Sequence, residues 1–157
     1  MKAASLNELQ KELSALPSKK VLEICNRLIR FKKENKELLT YLLFESDDEQ
    51  TYKNSVKAEI DTLFQSMNQS NLYLAKKSLR AILRMINKFI RYSGSKETDI
   101  ELRIYYLKKL KHSGILINKS PVLLNLYNNQ LKKIRESLSK LHEDLQFDYL
   151  QEVNLLD

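Results

Sequence analysis

Only two glycines, Gly94 and Gly114, and two prolines, Pro17 and Pro121, occur in 157 residues. A chain that reverses direction through tight β-turns draws on these residue types at its turn positions. Their near absence, beside abundant Leu, Lys, Glu, Ile and Asn, leaves helices joined by short polar connections as the structure such a chain can build. The expected fold is all-α: a single domain over residues 1–157 with about six to seven helices. These pack as a helical bundle or as stacked α-hairpins and end in a long C-terminal helix. The bundle is preferred, since no repeat of fixed period carries the signature of a helical solenoid.

The helix boundaries follow from capping signals and apolar spacing. Ser5 and Glu8 form a capping-box pair and predict a short helix over about residues 6–15, with Leu6, Leu9, Leu13 and Leu16 as its stripe. After Pro17 a second helix runs to about Phe31 and is expected to bury Val21, Ile24, Cys25, Leu28 and Ile29. A third, short helix carries Leu38, Leu39, Leu42 and Leu43. The acidic cluster Asp47-Asp48-Glu49 suits the N-terminus of a fourth, whose core positions are Tyr52, Val56, Ile60, Leu63, Phe64 and Met67. A fifth spans about 72–92 and stops at Ser93-Gly94-Ser95, and a sixth spans about Glu97 to His112.

The last helix opens at Ser120-Pro121, an N-cap followed by proline at the first helical position. From there Leu124, Tyr127, Leu131, Ile134, Leu138, Leu141 and Leu145 recur at alternating steps of three and four, a helix-packing or self-association seam.

Residues 6–45 carry a resemblance. The run Leu13-Ser14-Ala15-Leu16-Pro17-Ser18-Lys19-Lys20 ahead of a helix, followed by Asn35-Lys36-Glu37-Leu38-Leu39-Thr40-Tyr41-Leu42, resembles the opening of an uncharacterised bacterial all-helical family. The resemblance implies a helical fold and no particular activity.

A hydrophobic fraction of 43% against 30% charged residues is that of a folded globular protein. No run approaches the ~20 apolar residues that cross a bilayer, and residues 1–14 lack the apolar core of a signal peptide, so the expected location is the cytoplasm and no transmembrane segment is expected. Cys25 is the only cysteine, which rules out an internal disulfide; set in the apolar run Val21 to Cys25, it is expected to pack as a small buried hydrophobe.

Charge is segregated. Between Asp61 and Glu97 stand Lys76, Lys77, Arg80, Arg84, Lys88, Arg91 and Lys96 with no acidic residue, and these account for the whole formal excess of +7. On a helical wheel at about 100° per residue the first six fall within an arc of roughly 120° that also contains Tyr73. Ala75, Leu79, Ile82, Leu83, Ile86, Phe89 and Ile90 take the opposing arc. One face is therefore core and the other a cationic ridge. Such a ridge is a possible binding surface for phosphate or an acidic partner, nucleic acid included, although no motif for base readout accompanies it. The first expectation for such a face is that it is solvated, or neutralised by acids such as Asp47, Asp48 and Glu49. An anionic membrane surface is a third choice.

Catalytic chemistry is not visible. His112 and His142 belong to no metal-ligand spacing, isolated Gly94 and Gly114 cannot build a phosphate loop, and no serine or cysteine nucleophile has a recognisable base. No cofactor is expected. The chain reads first as a non-enzymatic helical protein-interaction module, adaptor or scaffold, whose partner is another protein or a second copy. It reads second as a nucleic-acid-binding protein that uses the basic face of the 72–92 helix.

Overall fold

The helices begin and end where the caps place them. A computed structural model describes residues 1–156 and contains, among the described residues, helices and no strand. Where the sequence reads as one domain, the contacts fall into two compact units, Met1–Phe44 and the chain from Glu45 on.

The first unit contains α1 (Leu6–Ser14), α2 (Ser18–Phe31) and α3 (Lys33–Thr40), with a π-helical turn over Tyr41–Glu45 at its end. The Ser5 and Glu8 capping box closes as the sequence predicts. Lys32 takes an extended backbone conformation and separates α2 from α3, which pack on one another. The Asn35 amide crosses that junction and donates to the Leu28 carbonyl at 2.7 Å. Not one residue of α1, α2 or α3 is buried.

The second unit contains α4 (Glu49–Gln65), α5 (Leu72–Ser93), α6 (Lys96–His112), a single 3-10 turn (Ile117–Lys119), α7 (Pro121–Leu138) and α8 (Glu143–Asn154). Asp48, Asn71, Ser95 and Ser120 cap four of these helices through their side chains. Gly94 ends α5 in the left-handed conformation, φ 69°, which a side chain would strain.

Helix α6 is the axis of this unit. It packs on α4, α5 and α7, and its apolar residues point in every direction because it is surrounded. Ile100, Leu102, Tyr106, Leu107 and Leu110 are wholly buried, as are Ile60 of α4, Leu79 and Ile86 of α5, and Leu123 and Ile134 of α7. Each such side chain contributes about 1.5–3 kcal/mol by leaving water.

A polar network is built into the same core. The Arg103 guanidinium meets Asp99 at 2.6 Å, Gln130 at 2.5 Å and Asn87 at 2.9 Å, and Asp99 also accepts from Ser137 at 2.6 Å. Arg103 is 6% exposed, so three helices are held in one register by a charge whose donors are satisfied.

The C-terminal seam differs from its sequence reading at one place. The single helix expected through Leu145 stops at Leu138, and a new helix starts at Glu143 with His142 as its N-cap. Glu143 and Asp144 follow the cap, and two negative charges in a first turn favour a helix start there over helix continuation.

Candidate interaction surfaces

The N-terminal surface comes from two amphipathic helices, neither of which contains a buried residue. On α2, Val21, Ile24, Leu28 and Phe31 share a face with Cys25, Leu22 and Ile29, while Lys19, Lys20, Arg27 and Arg30 take the other. Leu22 is 61% exposed, Leu28 53% and Phe31 75%. All four leucines of the α1 stripe, Leu6, Leu9, Leu13 and Leu16, are exposed as well. Two sequence expectations are corrected here. The α2 positions expected in a core are half-buried or open, and Cys25 is exposed instead of packed. The periodicity is real, but the stripe it makes is only half closed at Val21, Ile24 and Ile29 and open at Leu22, Cys25 and Leu28. On the polar face, Lys20 pairs with Glu23 at 2.8 Å, which leaves α2 strongly basic.

The ridge on α5 forms as the wheel places it. Lys77, Arg80, Arg84 and Arg91 are exposed and Lys76 is half-buried, and among the described residues none of these five has an acidic partner. Lys88 lies closer to the protein, its ammonium 4.9 Å from the Phe89 ring. Neutralisation by neighbouring acids therefore does not reach these five. Asp48 caps the backbone of Thr51, and Glu49 accepts from the hydroxyls of Ser93 and Thr98.

The residues of the C-terminal seam mostly lie inside. Tyr127, Leu131, Ile134 and Leu138 are buried, Leu141 and Leu145 half-buried, and Leu124 exposed. The Tyr127 hydroxyl donates to the Leu156 carbonyl at 2.6 Å. As a self-association surface the seam is corrected: a side chain buried against its own chain offers no area to a second copy. It is a helix-packing seam.

Beside it opens a cleft that the sequence reading passed over. Its volume is about 710 Å³, its apolar lining includes Ile115, Leu116, Ile117, Leu124, Tyr127 and Leu131, and its charged lining among the described residues is Lys111, Lys119 and Arg135. The signal was present as Ile115-Leu116-Ile117, an apolar run in a connection where polar residues are usual.

A third feature is a cluster of charges between α4, α6 and α8. Glu101 accepts from Lys53 at 2.5 Å, Lys57 at 3.1 Å and the Tyr149 hydroxyl at 3.0 Å. Burial opposes the Glu101 charge, yet the two ammonium groups outweigh it and hold the carboxyl below its ordinary range. Burial, and then the Glu101 charge, push the Tyr149 phenol up. Asp61 is held in the same way by Lys109 at 2.6 Å and Tyr105 at 2.7 Å. A cavity of about 350 Å³ adjoins these groups. Its carboxylates are engaged by lysine and tyrosine, an arrangement that ties helices together.

His112 donates from Nδ1 to the Lys108 carbonyl at 2.7 Å, at its own helix end, and His142 serves as the α8 cap. Among the described residues no three histidine, cysteine or carboxylate side chains are grouped to hold a metal ion, and no helix is long and apolar enough to cross a membrane. Compared with protein-family models, with curated proteins and with solved structures, the chain matches none.

Proposed function

We propose that the chain is a non-enzymatic helical interaction module of the cytoplasm that recruits another protein through the apolar faces of α1 and α2. One observation carries this reading: both helices have clean apolar stripes, and neither contains a buried residue. Helices of nine and fourteen residues are marginal in water on their own and gain their stability by packing such a stripe. The partner that fits is a protein surface with an apolar strip flanked by carboxylates, which would meet Leu22, Leu28 and Phe31 and the basic flank of α2.

Site-specific photo-crosslinking in cells tests the reading. A crosslinker at Leu13 or Leu28 of the full chain is expected to give a discrete protein adduct that is lost when Leu22→Asp is added. A crosslinker at Thr62, exposed on α4, should give none. No adduct from α1 or α2, or the same products from all three positions, would rule the proposal out.

A second reading has its own support. Four exposed cations and half-buried Lys76 on α5 have no acidic partner among the described residues, which is the electrostatic footprint of a surface for nucleic acid. Binding of an oligonucleotide that weakens steeply with salt tests it.

A further inference from the structure

The ridge is more ordered than a cluster of positive charge. Tyr73, Lys77, Arg80, Arg84 and Arg91 follow one another at steps of four, three, four and seven residues, the stepping that keeps side chains on a single line along a helix. With a rise of 1.5 Å per residue, the line from Tyr73 to Arg91 is about 27 Å long. Lys76 lies beside it. Tyr73 is 75% exposed at the N-terminal end of this line, on the first turn of a helix that Asn71 caps through the amides of Tyr73 and Leu74. Phe64 and Tyr106 pack on each other in the core, and Tyr52 and Phe89 meet edge to face. Tyr73, by contrast, has no ring partner among the described residues and sits in the middle of the basic arc.

An exposed aromatic in line with cations has a definite chemical match. Cations attract the phosphates of either a duplex or a single strand, whereas an aromatic ring on the same line gains energy only from a base that is free to unstack. The absence of any base-reading motif agrees with a sequence-tolerant mode, because every base has a face to stack. Arginine at three of the line's positions adds forked donors suited to phosphate oxygens.

We infer that the α5 ridge binds single-stranded nucleic acid, with Lys77, Arg80, Arg84 and Arg91 tracking the phosphates and Tyr73 stacking on a base. This rests on the nucleic-acid reading of the ridge and narrows it to one class of strand.

The test uses the full chain and labelled oligonucleotides of about 16 nucleotides, single-stranded and duplex, at two ionic strengths. The single strand is expected to bind more tightly than the duplex and to lose about 50-fold in affinity between roughly 50 and 200 mM salt, as about four phosphate contacts require. Arg80→Glu with Arg84→Glu should abolish binding of both strands. Tyr73→Ala should weaken the single strand about tenfold or more and leave the duplex unchanged, and Tyr73→Phe should restore it. Helical circular dichroism identical to that of the unaltered chain shows that each variant is folded.

The failures separate. No binding of either strand at low salt, or tighter binding of polyglutamate than of either oligonucleotide, ends the nucleic-acid reading of the ridge and this inference with it. Equal binding of single strand and duplex, with Tyr73→Ala without effect, overturns the single-strand inference and leaves the nucleic-acid reading standing.

Discussion

The N-terminal helices and the central helix of the second unit have opposite relations to their apolar residues. On α1 and α2 those residues are gathered into narrow stripes, and the stripes are open. On α6 they are spread around the helix, and all of the large ones but half-buried Tyr105 are closed. The cleaner pattern thus belongs to the emptier surface. An amphipathic stripe states that a helix has one dry side; whether that side is covered depends on what else the chain, or another chain, brings to it.

Substitutions in the two regions should differ by an order of magnitude in their cost. The largest effect is expected at Arg103→Ala, which leaves half-buried Asp99 with Ser137 as its remaining partner and buried Gln130 without its donor, and should cost about 3–5 kcal/mol in urea unfolding of the full chain. Leu107→Ala, at a site with no exposed surface, is expected to cost about 2–5 kcal/mol by the same measurement. Leu28→Asp on α2 should change stability by about 0.5 kcal/mol or less, as a surface position does. A loss at Leu28 as large as that at Leu107 would mean that the α2 stripe is covered in the isolated chain, and the contrast between the regions would fall.

How much of this was legible in the sequence depends on whether the signal was local. The capping box at Ser5 and Glu8, the Ser120-Pro121 start and the Gly94 stop act within one turn and are legible from the residues alone. The ridge was legible too, because charge and wheel position are properties of a single helix. The break after Leu138 was hidden: Leu141 and Leu145 prolong the leucine stepping across it, and the acidic pair at Glu143-Asp144 that starts α8 is the same signal that was recognised at Asp47-Asp48. Arg103 was not recognisable as a core residue, since its partners Asn87 and Gln130 lie on other helices. Cys25 was misplaced for the reason that separates the two regions, a stripe without a cover.

A smaller effect sharpens the comparison through pH. The Glu101 carboxyl is held low in the folded chain, so its contribution is complete above its unfolded pKa of about 4.3 and is lost as pH falls toward the folded value. The stability gap between the unaltered chain and Glu101→Gln should therefore close, by about 1 kcal/mol or less, as pH falls below about 4.3. A gap independent of pH would show that Glu101 acts by packing and not by charge. No comparable acid response is expected from the stripes of α1 and α2, whose open faces are apolar.

Hydrogen exchange on the full chain, followed helix by helix in the absence of any partner, addresses the difference between the two regions most directly. Amides of α6 are expected to exchange only through global unfolding, with protection that matches the stability from urea, while those of α1 and α2 exchange through local opening at far lower protection. Equal protection in α1, α2 and α6 would contradict the account, because it would place the N-terminal stripes inside a cooperative core.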